Sequence, residues 1–419
     1  MPESHAQHRF LKFGGIAAMA AVVAAAKLVG GAPPELLGVR AEFLLFGLTL
    51  AGVALLHHRT FEVAVTGLGF ILLLKLLCVP GFSLGTHLAH EASILTNLLG
   101  LLLGFAVLAR HFEQSEAPEL LPAYLPDNWL GGFVLLVIVF LLSAFLDNIA
   151  AAMIGATIAM HVYKGHVDIG FLAAIVGASN AGGSGSVLGD TTTTMLWIAG
   201  APWDCVLRAY AAAIPALLFF GLVAAWQQHQ HRPIVKDAAV NARLRWERLA
   251  AVGLILAGTI ATNVLLDFPA AGVWIAILLC APFMKTDWSV VPKSLKGSLF
   301  LVSLVLCASM MPVEALPAAS WQTALGLGFL SAVFDNIPLT KLALDQGGYD
   351  WGMLAYAVGF GGSMIWFGSS AGVAISNIFP RAKSVSAWLA RGWHVPLAYV
   401  VGYFVMLALV GWNPHAPHR

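Results

Sequence analysis

Charge is what this chain has least of. Of its 419 residues only 10% are Asp, Glu, Lys or Arg, while 59% are hydrophobic. Soluble domains carry roughly a quarter charged residues, so a water-exposed globule is excluded. The formal net charge of +1 implies neither nucleic acid nor a strongly charged partner. Cysteine is scarce too. Cys78, Cys205, Cys280 and Cys307 are scattered through apolar stretches, at spacings that suit no metal site or disulfide framework, and they read as small buried hydrophobes. Most histidines, among them His5, His8, His57, His58, His229, His231, His415 and His418, sit at polar ends. No HExxH or CxxC accompanies them, so no transition metal is expected. The chain lacks GxxxxGK[ST], which excludes a P-loop ATP-driven pump, and it pairs no nucleophile with a base or metal cluster, which argues against an enzyme. No cofactor is expected.

What it has in abundance is apolar blocks. A helix needs roughly 20 apolar residues to span a bilayer. Blocks of about that length cover 13–30, 37–56, 61–80, 92–109, 131–160, 169–200, 206–226, 249–266, 298–312, 321–344, 351–379 and 393–411, with a shorter one at 271–284. These are solid runs without the ~10-residue alternation of a membrane barrel. The expected fold is therefore all-α and polytopic, with about eleven to thirteen membrane segments embedded in lipid, some broken or re-entrant. The first block follows Arg9 and Lys12 and has no small-x-small cleavage site, so it is expected to remain as a membrane helix.

One polar stretch, 227–248, divides the chain. Arg232, Lys236, Arg243, Arg245 and Arg248 outnumber Asp237 and Glu247 there, the mark of a cytoplasmic loop. Lys285, Lys293 and Lys296 form a second basic loop, and Arg381, Lys383 and Arg391 a third. Strict alternation of spans cannot put all three on one side, so at least one segment is expected not to cross. The blocks around the linker repeat. Residues 143–149 read SAFLDNI and 331–337 read SAVFDNI; Gly182-Gly183-Ser184 with Gly189 then matches Gly361-Gly362-Ser363 with Gly368, in the same order. The period is too long for a solenoid, and two related halves are what secondary transporters show. The organisation expected is an N-terminal membrane helix (1–36), repeat 1 (37–226), the basic linker (227–248), repeat 2 (249–412) and a tail (413–419).

A carboxylate in hydrocarbon costs at least ~2.5–3.5 kcal/mol and is a functional candidate by default. Asp147, Asp190 and Asp335 all lie within apolar blocks, and Asn148 and Asn336 follow two of them. An Asp-Asn pair offers hard oxygen ligands with one negative charge, which suits Na⁺ or a proton better than Ca²⁺. Pro338 lacks an N–H and is expected to break its helix, freeing a carbonyl beside Asp335. The glycine-rich stretches 180–194 and 359–372 are expected to unwind, since glycine costs about 1 kcal/mol in a helix interior. Their Gly182, Gly183, Ser184, Gly361, Gly362 and Ser363 would bring backbone and hydroxyls to the site. Ser369 and Ser370 align with Asp190 and Thr191, and these oxygens are further candidate ligands. Lys341 is expected to snorkel or to pair with Asp345 one turn on, with neutralisation of a site carboxylate as the sharper alternative. Lys75 is expected to snorkel.

The segments LDNIAAAMIGATIA, ASNAGGSGSVLGDTTTTMLWI, SAVFDNIPLTKLAL and GFGGSMIWFGSSAGVAISN resemble the NhaD-type sodium/proton antiporters of the ion transporter superfamily, which also holds citrate and arsenite carriers. The resemblance covers roughly residues 40–412. It implies inverted repeats, a scaffold part and a transport part, helical hairpins and a homodimer, in a bacterial inner membrane. It also implies that Asp147, Asn148, Asp190, Thr191, Asp335 and Asn336 form the ion site. Na⁺ or Li⁺ would exchange for H⁺ by alternating access. A cation-coupled symporter of a citrate-like carboxylate or inorganic anion, an arsenite-type exporter and a channel are the alternatives; no intramembrane arginine lies near either motif to clamp a dicarboxylate.

Overall fold

The computed structural model describes residues 2–30, 34–56, 59–235 and 243–415, with side chains from Gly14 onward. His57, His58, Lys236, Asp237, His418 and the end of the tail lie outside the described residues, as do the side chains of His5, His8, Arg9 and Lys12. The chain is an all-α polytopic membrane protein; the β structure among the described residues is one ladder pairing Glu35–Leu36 with Val39–Arg40.

Helix α1 (Pro2–Val29) precedes α2 (Ala41–Leu55), α3 (Thr60–Cys78) and α4 (Leu84–Glu113). After the short α5 (Ala117–Leu120) come α6 (Leu130–Ser143), α7 (Asn148–Val162), α8 (Ile169–Ser184), α9 (Thr191–Ile198), α10 (Trp203–Leu207) and α11 (Tyr210–His231). The second half runs through α12 (Trp246–Leu266), α13 (Pro269–Cys280), α14 (Val290–Ser309), α15 (Trp321–Ser331), α16 (Asn336–Gln346), α17 (Trp351–Gly361), α18 (Ser370–Ile378), α19 (Val385–Arg391) and α20 (His394–Leu409). Alone, α3, α4, α12 and α14 are long and apolar enough to span a bilayer, as is α10 joined to α11; α19 and α20, bent by 60° at the break between them, reach that length only as a pair.

The four blocks that carry the motifs are the exception, because each is two half-length helices. A β-carbon on Gly155, eight residues past Asp147, would overlap the side chain of Val139, eight residues before it. That is possible only if α6 and α7 fold back on one another around the tip at 144–147. In the second repeat Gln346 Nε2 donates to the Pro317 carbonyl at 2.7 Å, so the far ends of α16 and α15 also meet. Both DN motifs thus sit at the tips of re-entrant hairpins. The glycine-rich blocks are broken helices instead: α8 continues to α9 across 185–190, and α17 to α18 across 362–369. Asp168 and Asp350 start the two broken helices by accepting backbone N–H groups two residues on.

Polar contacts at the helix ends fix the directions of α2–α4 and α12–α14. At one face Arg110 Nε meets Asp287 at 3.1 Å, Lys296 meets Glu62 at 2.9 Å, and Arg248 reaches His111 at 2.9 Å. At the other, His87 Nε2 lies 2.9 Å from Ser309 Oγ and Arg40 3.4 Å from Glu314. Helix α4 therefore runs toward the first face and its counterpart α14 away from it. Helices α3 and α13, and α2 and α12, are opposed in the same way, so the repeats are inverted. Hairpin α6–α7 enters from the first face, hairpin α15–α16 from the second.

This arrangement gathers the positive charge. The linker residues Arg243 and Arg245 hold Glu116, Lys285 accepts at its carbonyl from Arg248, and Arg391 grips Asp168 at the base of the first hairpin. All three basic loops lie on the first face, hereafter the basic face. The expected conflict with alternation disappears because a re-entrant hairpin consumes an apolar block without changing sides. Apolar packing falls into two clusters. One lies under the hairpins and broken helices (Phe171, Phe220, Trp351, Phe360, Tyr399), the other among α1–α3 and α14 (Leu45, Ile71, Leu74, Leu304).

Three local expectations need correction. Pro338 is the third residue of α16, behind its N-cap Asp335. An N–H there has no intrahelical partner, so the proline marks a helix start and breaks nothing. The first repeat breaks equally with Ala150 at the matching position. Gly182 and Gly183 lie in the last turn of α8, and only 185–190 is unwound. Lys75 does not snorkel: it is buried, 3.3 Å from Glu42, which is itself fully buried and also held by Arg40.

Candidate functional site

The two hairpin tips and the two helix breaks meet near the middle of the molecule. Asp190 is the N-cap of α9, 2% exposed. Asn148 Nδ2 donates to its Oδ1 at 3.0 Å, and Asn336 Nδ2 to its Oδ2 at 3.3 Å. One carboxylate thereby joins the DN asparagines of both repeats. Asn148 also donates to Asn180 Oδ1 at 3.0 Å, and Asn180 Nδ2 to Ser363 Oγ at 2.9 Å, extending the network into the second broken helix. Asn180 went unrecognised in the sequence although a buried amide in an apolar run is a signal in its own right; at 0% exposure it is the hinge of the network.

Each tip aspartate keeps partial exposure. Asp147 makes no side-chain cap to its own helix, whereas Asp335 accepts from the Ile337 N–H at 3.1 Å. A cavity of about 330 Å³ brings together Asp147, Asp190, Thr191 and Thr194 under Leu98, Leu101 and Phe105 of α4, and reaches Glu113 and Ser294 at the basic face. A second, of about 180 Å³, joins Asp335, Ser369 and Ser370 to Leu50, Ala54 and Thr60. Ala54 and Thr60 flank the α2–α3 turn, which is also at the basic face. Both tip carboxylates are thus approached from one side.

Close packing brings the parts this near. A β-carbon at Gly182 would overlap the carbonyl of Phe140, and one at Gly361 the carbonyl of Gly328. These are matching positions of the two repeats, where a broken helix crosses the first arm of its own hairpin. Tyr210 Oη donates to the Gly182 carbonyl at 3.0 Å. Gly183 and Gly362 lean on the carbonyls of Gly189 and Gly368 across each break. The loop 185–190 is held by Thr193, which donates to Ser186 O at 2.6 Å, by Thr194, to Val187 O at 3.0 Å, and by Ser186, to the Ala144 carbonyl. Ser184 bonds back to its own helix, Ala181 O at 2.8 Å, and Ser369 caps α18 through the Gly372 N–H. Thr191 and Ser370 stay partly exposed in the two cavities.

Lys341 stands apart from this centre. It is 2% exposed and so does not snorkel; its Nζ lies 2.7 Å from Asp345, the expected partner, and 3.0 Å from Glu91 of α4, which was not anticipated.

An all-helical membrane protein with inverted repeats and a buried carboxylate–amide centre is built like a secondary transporter. The relatives agree. The chain is 24% identical to Sodium/proton antiporter 1 of Arabidopsis thaliana, over 85% of this chain and 71% of that one. It is 22% identical to Sodium/proton antiporter 2 of the same plant, over 83% and 96%, and 26% identical to the Na(+)/H(+) antiporter NhaD of Vibrio parahaemolyticus, over 59% and 72%. No family model matches the chain. The resemblance to NhaD-type antiporters read from the motifs is borne out by these similarities.

Proposed function

We propose that this chain is a secondary transporter that exchanges Na⁺ for H⁺ by alternating access. The observation that carries the reading is the Asp190 carboxylate clasped by Asn148 and Asn336, with Asp147 and Thr191 in the adjoining cavity. Carboxylate, amide and hydroxyl oxygens are hard donors suited to Na⁺. A carboxylate that can take either Na⁺ or a proton makes the two compete for one position, and competition couples their opposed movements without ATP. The cation would meet Asp147, Asp190 and Thr191 first, and Asp335, Ser369 and Ser370 would serve the related half.

The basic face is cytoplasmic in this reading, since Lys and Arg accumulate on that side of bacterial inner-membrane proteins. Both cavities then describe a form open to the cytoplasm. A homodimer accords with the resemblance, and exposed apolar side chains such as Val264, Leu265 and Leu278 would face lipid or a second copy. The test is reconstitution in liposomes containing a pH-sensitive dye, with an imposed pH gradient and Na⁺, Li⁺, K⁺ or citrate added outside. Collapse of the gradient with Na⁺, lost in Asp147→Asn and Asp190→Asn, is the expected result. A response to citrate alone, or no effect of either substitution, would overturn the reading.

A further inference from the structure

We infer that the buried Lys341–Glu91–Asp345 cluster is the gate that closes the ion site from the face opposite the basic one; this rests on the alternating-access reading above. The cluster joins two parts. Glu91 belongs to α4, two turns from its start at the opposite face. Lys341 and Asp345 lie on the second arm of hairpin α15–α16, between its tip and its base at that same face. Lys341 Nζ is 3.1 Å from Glu91 Oε1 and 3.0 Å from Oε2. The two side chains are 3% and 5% exposed, and that of Asp345 26%. The contact is dry at its centre and wet at its rim.

The location fits a closed door. Lys341 lies five positions beyond Asn336 on α16, so a path from the opposite face along α16 to Asn336 and Asp335 runs past this contact. Both cavities that touch the site aspartates lead to the basic face, and neither is lined by Lys341 or Glu91. The chemistry fits as well. An ion pair in a low-dielectric interior is held only while its partners touch, and breaking it dry leaves an uncompensated buried charge. If the hairpin swings from α4 and water enters, each charge is hydrated and most of the cost of parting them vanishes. Charged partners therefore give two stable arrangements, paired and dry or parted and wet, whereas an apolar seal would expose hydrocarbon on opening. His87, bonded to Ser309 of α14, and the exposed His90 stand one turn and one residue before Glu91, on the outer side of the contact.

The experiment reads sidedness and does not depend on which ion is carried. Ile337→Cys places a thiol one turn before Lys341, between gate and site, in a chain whose half-buried Cys78 is changed to Ala. A membrane-impermeant cationic methanethiosulfonate is applied to each side of oriented proteoliposomes in turn. Slow reaction from the opposite face is expected in this parent, and about tenfold faster reaction from that face after Lys341→Met, which leaves two carboxylates unpaired. Glu91→Gln is the second variant, should Lys341→Met not yield folded protein, and the same acceleration is expected. The triple variant Glu91→Leu, Lys341→Leu and Asp345→Asn leaves no unpaired charge, restores a dry contact and is expected to return the rate to the parent's. Equal rates in all variants, or fast reaction from the opposite face in the parent, would overturn the gate while leaving Na⁺/H⁺ exchange untouched; loss of exchange with the labelling pattern intact would overturn the transport reading alone.

Discussion

At the scale of single residues the centre is unequal, although the fold around it is repeated. Asp190 has Ser369 as its counterpart, so one half supplies the carboxylate that both DN asparagines address. Asp190→Asn is expected to lower Na⁺-driven exchange by at least about 100-fold, because Asp190 is the carboxylate that holds both DN asparagines. Asn148→Ala or Asn336→Ala each removes one hydrogen bond to a charged group, worth roughly 1.5–3 kcal/mol. Each should weaken apparent Na⁺ affinity on the order of tenfold in the dye assay. Under the proposed competition of protons and Na⁺ for one carboxylate, the sign of the pH effect is fixed. Lowering the pH must raise the Na⁺ concentration needed for half-maximal exchange without lowering the rate at saturating Na⁺. A pH-independent half-maximal concentration would exclude a shared site.

The DN pairs were legible because they occur twice in apolar surroundings. Asn180 was not, since the matching position in the second repeat is Gly359 and repetition gave no cue. Glu91 and Glu42 were illegible for another reason. Each sits near the end of an apolar block, where a charge ordinarily reaches water, and only the fold sets Lys341 or Lys75 against it.

At the scale of elements, length was misleading and breakage was legible. The block around Asp147 is long enough for one full span, yet it folds back at its middle. An apolar run reports that a segment avoids water, not whether it crosses. Gly182 and Gly361, expected to unwind a helix, serve contact instead. Gly182→Val should push α8 from the Phe140 carbonyl, and overpacking of this kind costs typically 1–3 kcal/mol. A fall of several degrees in the melting temperature of detergent-solubilised protein is expected, with loss of exchange. Gly326→Ala, on a stretch of α15 where an added β-carbon meets nothing within 4 Å, should leave both unchanged and serves as the control.

At the scale of the whole molecule, the inverted arrangement makes a topological prediction. Single cysteines in place of the exposed Ser289 and Ser384 are expected to react with an impermeant maleimide from the same side of the membrane, and one in place of Ala315 from the other. Reaction of Ser289→Cys and Ser384→Cys from opposite sides would overturn the re-entrant course of hairpin α15–α16, the one that lies between them. The basic loops could not be assigned to one side from the sequence because that assignment depends on counting true crossings, and only the fold tells a hairpin from a span.

The opposed halves also determine a shape that has not been seen. Two copies of one motif, oppositely inserted, lie here in unequal postures: α7 stands off from α4 beside the larger cavity, while α16 is fastened to α4 through Lys341 and packs on α14. Exchange the postures, giving each half the internal geometry of the other, and the result is a second conformer of the same chain turned over in the bilayer. Under the proposed alternating access, that conformer has its entrance between α16 and α14 and its seal beside Glu113.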